Sequence, residues 1–393
     1  MDGQRTKLFW GYKYIAIQGI QVRVPRKRPA RLDPMTFDLA AFRSAVSEQA
    51  LASLDSLSWL IQSDLEAAVA AEMLEPARTL LRGGKRTRAA LLWAGYRCAC
   101  AGPTEPALHA GAALELYQMS ALVHDDVIDD SETRRGLPAA HTAFRTWHTT
   151  NNWLGSAEDF GHAGAIILGD LLLSQANAEF REAARLVDNA AGSLALGQFF
   201  NMTVEVAFGQ YLDIRAEHQP LADTSTAIST ALGVLRHKTA SYSVEFPLAI
   251  GALLGGGSLD LANHLRHIGR PLGEAFQMRD DDLGLFGNPD LTGKPACGDI
   301  TEGKRTVLLA LTRELATQQD REWLDSTLGQ RIDDADASRI RRIVTVSGAR
   351  AQHERMIAER EEQARAELAT LPALPRGIEL LHELVGEFEQ RNF

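Results

Sequence analysis

Apolar and polar residues alternate with a helical period along most of this chain. Across residues 38–74 the apolar positions recur every three or four residues, and no run of β-branched residues favours a strand. The same pattern extends over residues 162–187, 190–216, 222–243, 244–255, 258–285, 304–316, 334–348, 350–370 and 376–391. No hairpin signal recurs, and no internal repeat of about 20–50 residues is present. The pattern predicts an all-α protein.

A loop broken by Gly83-Gly84 is followed by a predicted helix that ends before Gly102-Pro103, and residues 105–130 form the next, long predicted helix. Its apolar side chains lie on nearly all sides, whereas a surface helix has one apolar face. We therefore expect it at the centre of a large helical bundle whose functional groups line an internal cavity. Because no linker rich in Pro, Gly and Ser interrupts residues 40–393, residues 35–393 are predicted to form one domain.

Charge is unevenly distributed along the 393 residues, of which 45% are hydrophobic and 23% charged. Residues 1–34 hold eight basic and two acidic residues, a balance of +6. Since the whole chain carries −10, residues 35–393 carry −16. Such an acidic body argues against nucleic-acid binding, which uses a basic surface.

We interpret residues 1–34 as a disordered basic extension. The alternatives are a basic arm for acidic lipid or nucleic acid, or a true start at Met35.

The number of cysteines and the lack of a recognisable secretory signal indicate the cellular compartment. Cys98, Cys100 and Cys297 contain no CxxC motif and are too few for a disulfide framework, and no secretory signal is recognisable. We therefore expect a cytoplasmic protein with structural cysteines. The most apolar stretch, residues 107–128, contains His109, Glu115, Gln118 and His124, so no membrane-spanning segment is predicted.

Four aspartates stand at the end of the central predicted helix: Asp125, Asp126, Asp129 and Asp130. They form two pairs that are four positions apart, and each pair shares one helix face. Like charges at this spacing destabilise a bare helix, so we expect a cation there. Mg²⁺ binds carboxylates together with phosphate oxygens. Arg134 and Arg135 follow, and arginine binds phosphate through two parallel hydrogen bonds. The stretch predicts a magnesium–diphosphate clamp; a frayed, solvated helix end is the alternative.

A second acidic cluster weakens that alternative. It ends another apolar helix and is followed by basic residues: Asp280, Asp281, Asp282, Lys294, Lys304 and Arg305. A third element, GGKRTR, places cations beside a flexible diglycine: Lys85, Arg86 and Arg88. Two acid-rich helix ends, each followed by basic residues, predict two walls of one cavity.

The motifs follow one another in a definite order: GGKRTR at 83–88, the first aspartate-rich motif with its arginines at 125–135, GQYLD at 209–213, Lys-Thr at 238–239, and FQMRDD with its lysine-bearing tail at 276–305. In this order they resemble the trans-isoprenyl diphosphate synthases, the polyprenyl synthetase family. The resemblance implies an all-α fold of the isoprenoid synthase type and a homodimer. It also implies Mg²⁺-dependent condensation of an allylic diphosphate with isopentenyl diphosphate, with three Mg²⁺ ions in the occupied site.

The resemblance also implies roles for the matching residues. The expected Mg²⁺ ligands are Asp125, Asp126, Asp129, Asp280 and Asp281. The allylic diphosphate is expected to contact Arg134, Lys238 and Lys294. Isopentenyl diphosphate is expected to contact Lys85, Arg88, Gln118 and Arg135. Thr239 and Gln277 are expected beside the reacting carbons, Lys304 at the mouth, and Gln210 and Asp213 behind the ligands. The expected catalytic residues are Asp125, Asp129, Lys238, Thr239, Gln277 and Asp280.

Some residues depart from the family pattern or carry no recognisable motif. Gly284 stands where a full second DDxxD motif has its last aspartate. Asp282 points away from Asp280 by two helical steps, so we interpret it as an exposed acid and not as a ligand. His124 and His141 have no partner at HExxH-type spacing, so we interpret them as core or surface histidines.

The residues just before the first aspartate motif bear on product length. Farnesyl-type members of the family have bulky aromatic residues four or five positions before the first aspartate, whereas this chain has Ala121 and Ser120. The resemblance therefore implies a product longer than farnesyl diphosphate. Tyr117 is either the floor of the chain tunnel or a core residue. We predict geranylgeranyl diphosphate, with a longer polyprenyl diphosphate as the alternative.

Two further classes remain as competing hypotheses. A class I terpene cyclase shares the fold and the DDxxD chemistry, but it normally has an (N/D)DxxSxxxE motif on the far wall and needs no GGKRTR element. A non-catalytic subunit of a partner synthase is the other hypothesis. Such subunits tend to lose aspartates, and this chain keeps both clusters.

Overall fold

The computed structural model describes residues 12–17, 20–25, 38–57, 61–221, 223–287 and 297–389. Lys294, expected to contact the allylic diphosphate, lies outside the described residues. Within these ranges the chain is helical apart from two short antiparallel pairs of strands, so the predicted all-α fold is confirmed.

The helices are α1 (Leu39–Asp55), α2 (Asp64–Arg82), α3 (Thr87–Ala99), α4 (Glu105–Ile128), α5 (Ala140–Thr150), α6 (Ala157–Arg185), α7 (Asn189–His218), α8 (Thr224–Val234), α9 (Phe246–Leu254), α10 (Leu259–Phe286), α11 (Gly298–Thr301), α12 (Val307–Leu315), α13 (Gln318–Thr327), α14 (Asp334–Val346), α15 (Ala349–Ala369) and α16 (Pro375–Glu389). A π-helical segment, Leu235–Glu245, joins α8 to α9. The strands are β1 (Tyr12–Ile17), β2 (Ile20–Pro25), β3 (Thr133–Arg134) and β4 (Leu137–Pro138).

Helix α4 is the centre of the bundle, as its sequence predicts. It is buried along nearly its whole length and packs against α6, α3 and α1. Close approach of neighbouring helices depends on small residues: a Cβ atom at Gly95 of α3 would lie 2.1 Å from the carbonyl oxygen of Leu248 in α9. Gly251 of α9 has the same relationship to α3, at 2.0 Å from the carbonyl oxygen of Leu92. These contacts hold α3 and α9 close together.

The segment from α8 to α9 is continuous, whereas the apolar pattern divides it at residue 243. Its central 11 residues form the wide turns of a π-helix, a geometry that often occurs at functional sites. Lys238 and Thr239 lie in this segment. Because the π-helix adds residues to each turn, it shifts side chains around the axis relative to an uninterrupted α-helix.

Several elements are not predicted by the sequence pattern. Helix α5 is short and rich in residues with weak helix propensity, such as Thr, His and Trp, whereas α13 is short and almost entirely polar. Strands β1 and β2 pair antiparallel, with Tyr12 opposite Pro25, within the segment predicted to be a disordered extension. The disorder expected for the rest of residues 1–34 stays a prediction.

Within the described ranges, every helix is too short or too polar to cross a lipid bilayer.

Candidate active site

A cavity of about 1100 Å³ opens between α3, α4, α7, the π segment, α10 and the end of α16. The structure brings most of the predicted site residues to its wall: Lys85, Arg88, Gln118, Ala121, Asp125, Asp129, Arg134, Arg135, Lys238, Thr239, Gln277, Asp280, Asp281 and Lys304. Both aspartate clusters therefore face one space, as the sequence predicts. Asp126, Tyr117 and Ser120 are not part of the wall.

Asp125 and Asp129 stand at the end of α4, each against a lysine from another element. The ammonium of Lys238 lies 3.3 Å from Asp125 Oδ1, and that of Lys304 lies 3.0 Å from Asp129 Oδ2. Burial acts to raise the pKa of Asp125, but Lys238, Lys304 and Arg134 hold it below its ordinary value. Burial and the neighbouring Asp125 raise the pKa of Asp129. The two carboxylates thus form a strongly anionic pair that draws cations.

Asp126 has a different environment from its two neighbours. It is fully buried, and its Oδ1 accepts a hydrogen bond of 2.7 Å from Arg134 Nε and a second from Arg134 Nη2. Burial raises the pKa of Asp126 to about 6, although Arg134 opposes this shift. Asp126 therefore orients Arg134, and Arg134 also reaches Asp125 Oδ2 at 3.5 Å.

The GQYLD motif joins α7 to this site through three residues. A Cβ atom at Gly209 would lie 2.3 Å from the backbone nitrogen of Lys238, so only glycine permits this approach of α7 to the π segment. Gln210 donates a hydrogen bond of 3.0 Å to Asp125 Oδ1. Asp213, one turn further along, accepts a hydrogen bond of 2.5 Å from Lys238 Nζ. Together Asp125 and Asp213 raise the pKa of Lys238 against the opposing effect of burial.

The second wall is formed by the end of α10. Asp280 and Asp281 line the cavity, and Gln277 donates a hydrogen bond of 2.8 Å to Asp281 Oδ1. The interpretation of Asp282 as an exposed acid is wrong. Its side chain is 4% exposed, and its two oxygens accept hydrogen bonds of 2.8 and 2.9 Å from Arg350 of α15. The two-step rotation from Asp280 turns it towards a neighbouring helix, not towards solvent.

Asp299 is a cavity residue that the motif comparison does not identify. A Cβ atom at Gly284 would lie 3.1 Å from Asp299 Oδ2, at the position where a full second DDxxD motif has an aspartate. Asp299 and Glu302 of the segment around α11 both line the cavity. A carboxylate from another part of the chain therefore approaches the place of the missing one. The acid-rich composition of GDITEGK was the available signal.

The GGKRTR turn forms the cationic side of the cavity. Its backbone needs left-handed conformations at Gly84 (φ 109°) and Arg86 (φ 51°). Arg86 lines the cavity but is buried, and it holds the turn by donating to Ser47 and Glu115. Arg88 lines the cavity, where it donates to Ser243 at 2.8 Å. The left-handed conformation at a non-glycine residue is strained, as is common at functional sites.

The three residues considered for chain length differ in where they lie. Ala121 lines the cavity. Ser120 turns to α6, where its hydroxyl donates a hydrogen bond of 2.7 Å to the carbonyl oxygen of Gly169. Tyr117 is 6% exposed and packs edge-on against Phe199 and Tyr242, at centroid distances of 6.2 and 6.3 Å. Tyr242 itself lines the cavity, so Tyr117 stands directly behind the wall.

An all-helical fold whose central cavity has two aspartate-rich walls and a cationic third side defines an enzyme that transfers groups from diphosphates. The sequence pattern of the polyprenyl synthetase family matches residues 70–346, more than half of the chain. The chain therefore belongs to the polyprenyl synthetase family and is a trans-prenyltransferase.

Relatives and solved structures agree with this assignment. The crystal structure of geranylgeranyl pyrophosphate synthase from Corynebacterium glutamicum, complexed with isoprenyl diphosphate and magnesium, is similar with a TM-score of 0.84 and 34% identity, covering 91% of this chain and 100% of that one. Geranylgeranyl diphosphate synthase from Saccharolobus solfataricus is 31% identical over 249 residues, which are 63% of this chain and 68% of the relative. Geranylfarnesyl diphosphate synthase from Aeropyrum pernix is 28% identical over 313 residues, covering 79% and 91%.

Proposed function

We propose that this prenyltransferase condenses isopentenyl diphosphate with an allylic diphosphate to make geranylgeranyl diphosphate. The observation that carries the proposal is the small side chain of Ala121 on the cavity wall, one helical turn before Asp125. A methyl group at this position leaves room for a chain that grows away from the aspartates. Ser120 does not contribute to this wall, because its hydroxyl is bonded to α6.

The names of the relatives support this product length, although the relatives make products of several lengths, farnesyl diphosphate included. The Corynebacterium glutamicum and Saccharolobus solfataricus proteins are geranylgeranyl diphosphate synthases, whereas the Aeropyrum pernix protein makes geranylfarnesyl diphosphate. A product longer than geranylgeranyl diphosphate is therefore the second candidate. The terpene cyclase hypothesis has no support, since the chain belongs to the polyprenyl synthetase family.

Magnesium fits the donor set of this cavity. Carboxylate oxygens from both walls are available, and hard divalent cations prefer oxygen ligands. Asp125, Asp129, Asp280 and Asp281 would hold the ions, and Asp126 would act through Arg134. Bound Mg²⁺ would stabilise the negative charge that develops on the departing diphosphate. Occupancy by three ions, and the contribution of Lys294, stay predictions.

The reaction follows from the positions of the chain's own groups. Arg134, Lys238 and Lys304 stand beside the aspartates, where they would bind the allylic diphosphate and stabilise it as the allylic C–O bond breaks. Lys85, Arg88, Arg135 and Gln118 would hold isopentenyl diphosphate so that its double bond attacks the allylic carbon. The new cation then loses a proton to the released diphosphate. The enclosed cavity limits access of water to the cation.

The decisive experiment is product analysis of the purified full chain. It is incubated with MgCl₂, radiolabelled isopentenyl diphosphate and either dimethylallyl or farnesyl diphosphate, and the dephosphorylated products are separated by chain length. We expect geranylgeraniol as the main alcohol. Longer alcohols would favour the second candidate, and products that stop at farnesol would contradict the role of Ala121.

We also propose that the enzyme is a homodimer through α6 and α7. Apolar side chains on these helices face outwards, among them Val204 (69% exposed), Phe208 (53%), Tyr211 (63%) and Ile167 (57%). A contiguous apolar patch of this kind commonly marks a protein interface. Light scattering should give twice the chain mass of 43.0 kDa, and Val204→Asp should shift it towards the monomer. Val346→Asp, at a 79% exposed valine of α14, is the control. The cytoplasmic location stays a prediction.

A further inference from the structure

We propose that Asp130, His141 and His162 form a Zn²⁺ site beside the first aspartate motif. One carboxylate oxygen of Asp130 and one ring nitrogen of each histidine all lie within 4.8 Å of one another. The site is separate from the cavity wall, to which none of the three residues belongs. The proposal does not depend on the prenyltransferase reaction or on its product.

Three elements of the fold bring these side chains together. Asp130 follows the end of α4 in a left-handed conformation (φ 51°), which turns the chain out of the helix. His141 is near the start of α5, and His162 is in the first turns of α6. A Cβ atom at Gly161 would lie 2.6 Å from the carbonyl oxygen of His141, so the glycine lets α5 and α6 approach. The two imidazole rings stand 5.6 Å apart between centroids.

The environment of His141 points to a ligand. The residue is 1% exposed, and neither of its ring nitrogens has a hydrogen-bond partner within the part of the chain that the structure describes. Nε2 of His162 is buried and makes no hydrogen bond under the same limits, although Glu158 Oε1 lies 3.3 Å from it. Unpaired buried polar atoms are unfavourable and rare in native proteins. A metal ion between the rings would bind one nitrogen of each ring. Burial also lowers the pKa of His141, which favours the neutral ring that binds metals.

The donor set selects zinc rather than magnesium. Two imidazoles and one carboxylate are a common set of three protein ligands for Zn²⁺, whereas Mg²⁺ prefers oxygen alone. Bonds to Zn²⁺ are about 2.0–2.2 Å long, so small side-chain rotations from the present spacing would close the site. Nearby charges also favour a cation: Glu132 and Glu158 flank the site, and both pair with Arg145. Glu158 Oε1 lies 3.3 Å from His162 Nε2, and its other oxygen pairs with Arg145 at 3.0 Å.

Zinc at this position would connect the end of α4 to α5 and α6. The strands β3 and β4, with Arg134 and Arg135, lie within the segment that this connection would close. The expected role is therefore structural: Zn²⁺ raises the melting temperature and is not required for Mg²⁺-dependent turnover.

The test measures metal binding directly. The full-length chain is stripped with chelator, returned to excess MgCl₂ to occupy the oxygen-rich sites, and titrated with ZnCl₂, and separately with CoCl₂ to follow the visible absorption of tetrahedral Co²⁺. We expect one Zn²⁺ per chain and a rise in melting temperature. Asp130→Asn and His162→Gln should each weaken Zn²⁺ binding by more than about 100-fold, since even loss of an outer-shell contact costs about 10–100-fold. Asparagine suits the left-handed conformation at residue 130, so this variant should fold.

The matched control is His124→Gln. His124 also has a carboxylate nearby, Asp170 at 3.6 Å, but in the described ranges it belongs to no group of three side chains that could hold a metal ion. This variant should bind Zn²⁺ as the unmodified chain does. The proposal is overturned if the unmodified chain binds no Zn²⁺ in excess Mg²⁺, or if Asp130→Asn and His162→Gln bind it as tightly as His124→Gln.

Discussion

Lys238 Nζ lies 2.5 Å from Asp213 Oδ2, a contact between the π segment and the last turns of α7. The same ammonium reaches Asp125 Oδ1 at 3.3 Å, so Asp213 holds Lys238 against the first aspartate motif. Gly209 permits the approach of the two helices. Asp213 is thus a positioning residue that would act on the allylic diphosphate through Lys238.

We expect Asp213→Asn to lower kcat/KM for the allylic diphosphate by about 10–100-fold, because a hydrogen bond to a charged group contributes about 1.5–3 kcal/mol. The KM for isopentenyl diphosphate should change little, since its expected contacts, such as Arg88, lie on the cationic side of the cavity. Steady-state kinetics with each substrate varied in turn checks this. A variant with unchanged allylic kinetics would contradict the positioning role, and Glu182→Gln on α6 is the control.

Asp280 and Asp282 lie only two positions apart on α10, but the same substitution should affect activity at Asp280 and stability at Asp282. Asp280→Asn removes a carboxylate from the cavity wall and should reduce kcat by about 10²–10³-fold. Asp282→Asn breaks the contact with Arg350 and should lower the free energy of unfolding by about 1–3 kcal/mol with kcat unchanged. Urea unfolding and initial-rate assays separate the two effects. Equal losses of kcat in both variants would place Asp282 in the site.

Ala121→Phe should shorten the product. A phenyl ring at this position of the cavity wall would fill the space that we assign to the growing chain, so farnesol should replace geranylgeraniol after dephosphorylation. The measurement is the chain-length distribution with dimethylallyl diphosphate as primer. Ala351→Phe, at an exposed position of α15, introduces the same ring away from the cavity and should leave the distribution unchanged. An unchanged distribution in Ala121→Phe would argue against the proposed path.

Tyr117→Ala tests the wall behind the cavity. Tyr117 packs against Tyr242, and removal of its ring would open space behind that residue. If Tyr117 forms the floor of the chain tunnel, the product should lengthen beyond geranylgeranyl diphosphate. A purely packing role predicts lower stability, by about 3–5 kcal/mol for a buried aromatic, with the same product.

His353 should make the stability of the protein depend on pH. Burial lowers its pKa from 6.5 to about 4, and both ring nitrogens are buried without hydrogen-bond partners among the described residues. Below pH 6.5 the unfolded chain binds a proton that the folded chain binds less well, so stability falls as the pH decreases towards 4. From pH 7 to pH 5 this histidine should contribute a loss of about 2 kcal/mol.

The measurement for His353 is urea unfolding of the protein and of His353→Gln across this pH range. The variant should show the smaller loss of stability on acidification. His382→Gln, at an exposed histidine of α16, should retain the slope of the unmodified protein. Equal slopes for His353→Gln and the unmodified protein would exclude His353 as the source.

The fold class, the family and most of the cavity residues could be predicted from the amino-acid sequence. Apolar periodicity is a local property, so it predicts helices such as α4 directly. The aspartate motifs and GGKRTR have residue types and spacings that are suited to metal and diphosphate chemistry before any contact is known. Asp125 and Asp280, separated by α5 to α9 in the chain, therefore could be assigned to one cavity from motif order alone.

What each side chain faces depends on the packing of helices that are distant in the sequence. Ser120 and Ala121 are adjacent, yet one is bonded to α6 and the other lines the cavity. Asp282 is buried against Arg350, and His141 meets His162 across two helices. The physical reason is common to all of them: the sequence sets the angle of a side chain around its own helix, but the packing of distant helices decides what lies at that angle.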